Sequence, residues 1–321
     1  MKPEILERLY REALRFRRVE EKIAELYPQQ EMRCPVHLAI GQEAIAAGVC
    51  CALLRSDFVL SAHRSHGHYL AKGGSLPAMM SELYGKADGC AQGKGGSMHL
   101  IDVAAGFLGA VPVVGSTIPI AVGVALATQL RGENHVTCVF FGDAATEEGV
   151  FHEAVNFAVV KQLPVVFICE NNLYSVYSPL SVRQPPGREI WRLARAYGLE
   201  SCEGDGNDVT RVYEMASRAI ARARSGGGPS FLELKTYRWL EHVGPDDDDK
   251  LGYRPPGELA AWKARDPLLC ARSQMLAAGF TAERLDALRA EIDAEIDAAL
   301  AAAKASPFPD AQSWATHIYA S

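Results

Sequence analysis

Residues 135–172, HVTCVFFGDAATEEGVFHEAVNFAVVKQLPVVFICENN, decide the fold. Apolar runs at 135–141 and 163–169 predict two buried strands, and the segment 147–161 between them predicts a helix. A strand, a helix and a second strand in this order form a βαβ unit, whose strands lie parallel. We therefore expect an α/β fold, a parallel sheet with helices on both faces.

Short polar motifs follow both predicted strands. Gly142-Asp143 follows the first strand and Asn171-Asn172 follows the second, with Asn172 lying 29 residues after Asp143. Because the carboxyl ends of parallel strands meet at one edge of the sheet, where ligands bind, these side chains are expected to lie together. Carboxylate and amide oxygens are hard ligands suited to Mg²⁺. The spacing therefore predicts a magnesium site with open positions for phosphate oxygens.

A second Gly-Asp pair shows why the spacing matters. Gly204-Asp205-Gly206 has no asparagine pair at a similar distance downstream, and it does not end a comparable apolar run. Taken alone, such a tripeptide indicates a turn, here one that enters a helix near Asn207-Asp208. We interpret this copy as a turn.

Composition limits the classes of function that remain. The chain has 321 residues, 48% of them hydrophobic, and a net charge of −6 that does not suggest a nucleic-acid partner. No apolar run approaches the ~20 residues of a membrane helix, and the amino terminus is charged and amphipathic, unlike a signal peptide. The eight cysteines show no CxxC spacing and are expected to be reduced. We expect a cytoplasmic protein without membrane or nucleic-acid partners.

Helical periodicity outlines the rest of the chain. Apolar residues at three- and four-residue spacing predict helices at 6–26, 41–54 and 285–300. Thr281 is the expected amino-terminal cap of the last of these. No repeat or flexible linker is visible, so we expect a single domain over 1–321, with a helical extension at about 1–55 and a helical segment at about 257–321.

Further motifs resemble one enzyme family. They are His37-Leu38 with Gly41-Gln42-Glu43-Ala44, the stretch 61–67 (SAHRSHG), the stretch 93–99 (GKGGSMH), and Tyr237-Arg238 followed by His242. Together with the Gly-Asp and Asn-Asn motifs, they resemble the alpha subunits of the decarboxylating component of 2-oxo acid dehydrogenase complexes, a family that includes pyruvate, branched-chain and acetoin dehydrogenases. The resemblance runs from about residue 37 to residue 254, and it implies the thiamine diphosphate-binding fold.

The resemblance also implies a set of site residues. The expected cofactor contacts are His63, Arg64, Pro112, Val114, Gly142, Asp143, Ala144, Ala145, Asn172 and His242. The expected ligands of the cation are Asp143, Asn172 and Tyr174, and the expected catalytic residues are His242 and His66. The carbonyl of Pro112 would face the aminopyrimidine, and Val114 would bend the cofactor.

The chemistry of some side chains also indicates a role independently of the resemblance. Arg64 offers a fork of donors suited to a diphosphate oxygen. The imidazole of His242 titrates near neutral pH, so it could move a proton or donate to a phosphate or an oxyanion. The acidic run at 246–249 is expected to be a mobile, solvated loop near the mouth of the site. Val243 stands where regulated relatives carry a phosphorylated serine, which excludes kinase control at that position.

Several positions depart from the family's usual residues, among them Trp239 and Glu241. Ala144 stands where glycine is commonest, and Pro112 stands where glycine or serine is familiar, although proline keeps its carbonyl oxygen. His63 replaces a usual tyrosine, as in the acetoin dehydrogenase branch, and Leu240 replaces a histidine common in pyruvate-type relatives. These departures leave the 2-oxo acid or other acyl donor open.

The resemblance implies an enzyme that depends on thiamine diphosphate and Mg²⁺. With a beta subunit in an α₂β₂ assembly, it would decarboxylate a 2-oxo acid or cleave acetoin and transfer the acyl group to a lipoyl acyltransferase. The beta subunit would carry the pyrimidine-binding domain and its catalytic glutamate, since no such domain is found in these 321 residues. The alternatives are a split carboligase or acyl transferase that works without a lipoyl partner, and a non-catalytic pseudoenzyme.

Overall fold

Six parallel strands form the central sheet of the computed structural model, which describes residues 1–316. The strands are β1 (Phe58–Ser61), β2 (Phe107–Ala110), β3 (Thr137–Gly142), β4 (Val165–Asn171), β7 (Glu200–Asp205) and β8 (Ser230–Lys235), in the order β2-β1-β3-β4-β8-β7. Two further strands, β5 (Tyr174–Ser175) and β6 (Ser178–Pro179), form a small antiparallel hairpin. The predicted parallel sheet is confirmed.

Twelve helices occur among the described residues. They are α1 (Pro3–Leu26), α2 (Glu43–Ala52), α3 (His66–Ala71), α4 (Leu76–Leu83), α5 (Thr117–Leu130), α6 (Gly149–Lys161), α7 (Leu180–Arg183), α8 (Ile190–Ala196), α9 (Val209–Arg224), α10 (Glu258–Lys263), α11 (Pro267–Ala277) and α12 (Ala282–Ala305). No helix among residues 1–316 is long and apolar enough to cross a membrane. The last five residues of the predicted carboxyl-terminal segment lie outside the described residues.

Alternate side chains of the central strands enter two separate cores. Phe140 and Ile168 belong to a cluster that includes residues of α1, α2, α9 and α12. Phe141 and Phe167 belong to the opposite cluster, with residues of α5, α6 and α8. Because successive side chains of a strand point to opposite faces, this division shows that helices cover both faces of the sheet, as predicted.

The βαβ unit differs from its prediction only at its boundaries. Strand β3 extends through Gly142 and β4 through Asn171, so both strands reach into the polar motifs. Residues 143–147 form a 3₁₀ turn, and α6 begins at Gly149 rather than at residue 147. The turn places Asp143 directly at the carboxyl end of β3.

The second Gly-Asp motif was predicted to be a turn, and this is wrong for Gly204 and Asp205, since the turn is confined to Gly206 and Asn207. Gly204 and Asp205 are the last residues of the edge strand β7 and pair with Leu234 and Lys235. An edge strand with one exposed side needs no continuous apolar run, so periodicity missed it. The predicted helix start is confirmed, because the Asp208 carboxylate caps α9 by accepting backbone N–H bonds.

Helix α1 braces the segment that leads into α2. Its buried Arg17 pairs with Glu43 at 2.5 Å and with Asp266 at 3.1 Å. Glu20 accepts a hydrogen bond from the Ala39 N–H at 2.7 Å. Gly41 has φ +102°, and a Cβ there would lie 2.4 Å from the Tyr237 carbonyl oxygen, so only glycine fits this passage. The amino-terminal helix therefore supports one wall of the cleft described below.

Candidate active site

A cleft open to solvent lies at the carboxyl ends of β1, β3 and β4. It is lined by eleven residues that were predicted as site residues: His63, Arg64, Pro112, Val114, Gly142, Asp143, Ala144, Ala145, Asn172, Tyr174 and His242. The structure therefore brings the polar motifs of three neighbouring strands to one place.

His66 is the predicted site residue that does not line this cleft. Its ring is fully buried, with Nδ1 3.0 Å from a Glu20 oxygen and Nε2 2.7 Å from the Ser97 hydroxyl. Both nitrogens are engaged, so neither is free for a ligand. The predicted contact of His66 with the cleft is therefore not found in this structure, and its catalytic role stays a prediction.

Asp143 and Asn172 form the oxygen-rich side of the cleft. The Asp143 carboxylate is buried, and burial raises its pKa, although the Arg183 guanidinium that pairs with it opposes the rise. The Asn172 amide donates to the Gln42 side-chain oxygen at 3.1 Å, which turns its own oxygen towards the Tyr174 N–H. Both side chains are thus held in fixed orientations.

The donor set suits Mg²⁺. Among residues 1–316 no group of three or more His, Cys, Asp and Glu side chains could hold a metal. A cation here would combine Asp143 and Asn172 with backbone oxygens and with oxygens of a bound ligand, which is a common arrangement for Mg²⁺. The Tyr174 hydroxyl already donates to Glu258 at 2.6 Å, which favours its backbone oxygen as the third protein ligand.

Arg64 forms the cationic side of the cleft. It is buried, and its hydrogen bonds go to the Leu38 carbonyl at 2.6 Å and to the ring and carbonyl of His242 at 3.0 and 2.9 Å. None of these partners is a carboxylate. Burial, together with the charge of Arg238, lowers the pKa of Arg64 to about 9. A buried and uncompensated guanidinium favours an anionic ligand such as a diphosphate.

The contact with Arg64 also selects the tautomer of His242. A guanidinium can only donate, so His242 Nδ1 must accept, and the neutral ring must carry its proton on Nε2. Burial and the charge of Arg64 lower the pKa of His242 to about 4, so the ring is neutral at pH 7. His242 therefore offers an N–H donor, and not a positive charge, at neutral pH.

Two further histidine rings lie beside His242. The His37 ring centroid is 4.8 Å from that of His63 and 5.2 Å from that of His242, and the His63 and His242 centroids are 5.6 Å apart. Burial, followed by the charge of Arg64, lowers the pKa of His37 to about 3 and that of His63 to about 2. The cluster therefore consists of three neutral imidazoles.

The acidic run at 246–249 was predicted to be a solvated, mobile loop, but Asp248 is buried and contradicts the prediction at that position. Asp248 is 2% exposed and lies between Arg238 at 3.3 Å and Arg254 at 3.2 Å. The Gly244 N–H also donates to the Val36 carbonyl at 2.9 Å. Two buried arginines require a buried carboxylate, which composition alone does not show.

Several residues of the cleft were missed as site residues. Glu170 lines it and pairs at 3.1 Å with His68, which in turn contacts the Ser61 hydroxyl at 2.8 Å. Glu170 directly precedes the Asn-Asn motif, and its polarity at a strand end was a usable signal. Arg183 does not line the cleft but pairs with Asp143, and it was also missed, because this pairing depends on how the chain folds back after β4.

Fold and site together define an α/β protein with a polar cleft at the carboxyl ends of its parallel strands. The chain belongs to the dehydrogenase E1 component family, whose model matches residues 11–312. The family expected from the sequence is thereby confirmed.

Named relatives fall into two groups. The chain is 37% identical to the alpha subunit of acetoin:2,6-dichlorophenolindophenol oxidoreductase of Bacillus subtilis, over 98% of this chain and 93% of the relative. It is also 37% identical to the chloroplastic pyruvate dehydrogenase E1 component subunit alpha-3 of Arabidopsis thaliana, over 97% and 74% of the two chains. The pyruvate dehydrogenase E1 component subunit alpha of Rickettsia felis is 34% identical, over 97% and 94%.

Proposed function

We propose that this chain is the alpha subunit of an enzyme that depends on thiamine diphosphate and Mg²⁺. With a beta subunit, it decarboxylates a 2-oxo acid or cleaves acetoin and transfers the acyl group to a lipoyl acceptor. One observation carries the proposal: the same cleft is lined by Asp143 and Asn172, which have oxygen ligands, and by the buried Arg64 with its partner His242, which are donors. This is the arrangement that a metal diphosphate requires, with hard oxygen ligands for the cation and donors for the phosphates.

Each residue of the cleft has a defined task in this proposal. Asp143, Asn172 and the backbone of Tyr174 hold the cation, while Arg64 and His63 hold diphosphate oxygens. Pro112 and Val114 contact the pyrimidine side of the cofactor. When bound, thiamine diphosphate supplies the electron sink for breaking the bond next to a carbonyl group.

His242 is the protein's own proton and hydrogen-bond group in this scheme. Its Nε2–H donates to a phosphate or to a developing oxyanion, while Arg64 fixes the ring from the other nitrogen. Because the pKa of His242 is low, the ring is neutral at pH 7 and carries a single proton, which the contact with Arg64 assigns to Nε2. Binding of an anionic group nearby stabilises the protonated ring, so cofactor binding raises this pKa.

The exposed apolar surface next to the cleft supports a partner subunit. Val113 and Val114, at the mouth of the cleft, are 66% and 45% exposed. The surface continues along the uncharged helix α5, where Ile120 is 50% and Leu130 78% exposed. A Cβ added to Gly123, between them, would meet nothing within 4 Å. A contiguous apolar surface of this kind indicates a protein interface, and we assign it to the beta subunit, in an α₂β₂ assembly.

Sequence similarity does not identify the acyl donor, since the relatives named for acetoin and for pyruvate have the same identity to this chain.

The eight cysteines are free thiols, which suits a reducing compartment, and we propose a cytoplasmic location.

The cation site is tested with Asp143→Ala. The variant removes the carboxylate of the proposed site, so Mg²⁺-dependent binding of thiamine diphosphate should be lost while binding without metal stays weak in both proteins. Isothermal titration of the chain co-purified with its partner measures this. Unchanged Mg²⁺-dependent binding in the variant would remove the basis of the assignment.

The acceptor is tested with the assembled enzyme supplied with pyruvate or acetoin and a lipoyl domain. Mass spectrometry of the lipoyl domain should show acylation. Carbon–carbon bond formation without acylation would instead establish a carboligase.

A further inference from the structure

The segment 173–183 closes one side of the cleft and is held in an unusual shape. It contains the hairpin β5–β6 and helix α7, and it links β4 to α8. Leu173 has φ +74° and Val176 has φ +54°, a region that residues other than glycine rarely occupy, and β-branched valine least of all. Val176 also lines the cleft. Such backbone conformations persist only where contacts with the surroundings impose them.

Two arginines hold the segment. Arg238 donates to the Val176 carbonyl at 3.3 Å. The side chain of Arg183 is only 11% exposed, and all three of its guanidinium nitrogens donate hydrogen bonds. Nε donates to the Ser178 carbonyl at 3.1 Å, Nη1 donates to Glu147 at 2.5 Å, and Nη2 donates to Asp143 Oδ2. Arg183 thus joins the turn that follows β3 to the segment that follows β4.

The charges around Arg183 leave the cation site negative. Arg183 and Glu147 neutralise each other, so the charge of Asp143 remains for a cation. The guanidinium bonds only one oxygen of the Asp143 carboxylate, Oδ2, and the other oxygen can serve as a metal ligand. Partners that hydrogen-bond a ligating carboxylate in this way orient the ligand and tune the affinity of the site.

We propose that Arg183 is a positioning residue of the cation site, which orients the Asp143 carboxylate and holds the segment carrying Tyr174 against it. This inference rests on the proposed function. Arg183 does not touch the reacting atoms, and its effect passes through Asp143 and the backbone of 173–183. Loss of the guanidinium frees Asp143 to rotate and lets the strained hairpin relax away from the cleft.

The test compares Arg183→Gln and Arg183→Lys with the control Arg192→Gln. Arg192 also pairs with a glutamate, Glu189, but it lies on α8 with 67% of its side chain exposed. Mn²⁺ serves as the probe, and electron paramagnetic resonance measures its binding in the presence of thiamine diphosphate, on the chain co-purified with its partner. Arg183→Gln should weaken Mn²⁺ binding roughly 10–100-fold, Arg183→Lys less, and the control not at all.

A second readout needs neither metal nor cofactor. Amide hydrogen exchange of 173–183 should be faster in Arg183→Gln and unchanged in Arg192→Gln, while exchange in the central strands reports that both variants are folded. If Arg183→Gln does not fold, Arg183→Lys carries the same comparison.

The outcomes separate this inference from the proposed function. Tighter Mn²⁺ binding by Arg183→Gln would mean that Arg183 competes with the cation and would overturn the positioning role, as would unchanged affinity and exchange. If Asp143→Ala abolishes binding but Arg183→Gln does not alter it, only the inference fails. If the unaltered protein binds no Mn²⁺ with thiamine diphosphate, the proposed function fails.

Discussion

The histidines of the cleft show how burial decides chemistry at the scale of single residues. His242 was selected from the sequence because an imidazole titrates near neutral pH. In the folded protein, burial and the charge of Arg64 lower the pKa of its ring to about 4. The same residue therefore acts as a neutral donor at pH 7, and its role depends on the tautomer that Arg64 imposes.

This low pKa makes a prediction about acid stability. Above pH 6.5 the ring is neutral in both the folded and the unfolded protein. Between pH 6.5 and about 4 the unfolded chain binds a proton that the folded protein does not, so His242 lowers the free energy of unfolding as the pH falls through this range. Below about pH 4 the loss levels off. Urea titrations of His242→Asn, which keeps an acceptor for Arg64, measure it.

The expected result is a difference in the free energy of unfolding between His242→Asn and the unaltered protein that changes with pH. Relative to the unaltered protein, His242→Asn should gain stability only as the pH falls from 6.5 to 4, because His37 and His63 are present in both proteins. A pH-independent difference would show that the folded ring titrates normally.

At the scale of secondary-structure elements, one glycine, Gly48, allows the close approach of helices α2 and α9. A Cβ at Gly48 would lie 2.6 Å from Val212 Cγ1 of α9, so the two helices approach more closely than alanine allows. Gly123, in the middle of α5, faces open space in this chain. Gly48 is therefore required by close packing inside the chain, whereas the packing of this chain does not require glycine at position 123.

Alanine substitutions at the two glycines should have opposite effects on the isolated chain. Gly48→Ala should lower the free energy of unfolding by about 1–3 kcal/mol because the added methyl overpacks the α2–α9 contact. Gly123→Ala should raise it by up to about 1 kcal/mol because alanine favours helix and meets no neighbour. Urea denaturation monitored by circular dichroism measures both. Equal effects of the two substitutions would mean that α2 and α9 can separate freely.

At the scale of the whole molecule, helix α5 has an apolar face that the rest of the chain leaves exposed. Helices of a single chain normally turn their apolar faces inward, and α5 lacks charged residues around its entire circumference. Its outer face continues from the valines at the mouth of the cleft. The surface that would bind a partner is therefore joined to the surface that would bind the cofactor, which suits a site completed between two chains.

A charge on this face should prevent assembly without unfolding the chain. Ile120→Glu should abolish co-purification of the partner subunit, because the carboxylate would be buried without a counter-charge. Leu269→Glu is the matched control, since Leu269 is 59% exposed on α11, on the other side of the sheet. Size-exclusion chromatography and mass spectrometry report the assembly. Retention of the partner by Ile120→Glu would move the interface elsewhere.

The sequence by itself determined the parallel sheet, the family, and the side chains that meet at the strand ends. Those features follow from local signals: apolar runs of strand length, the period of the helix between them, and the spacing from Asp143 to Asn172. The periodicity also located α1, α2 and α12 to within a few residues. Each signal lies within one continuous stretch, so no folded structure was needed to find it.

Only the tertiary structure decided which charges are paired and which rings are neutral. It removed His66 from the cleft by pairing it with Glu20 and Ser97, and it buried Asp248 between two arginines. It also brought Arg183 onto Asp143, forty residues away in the chain. The physical reason is that pairing and desolvation depend on distances through space, which the order of residues does not contain.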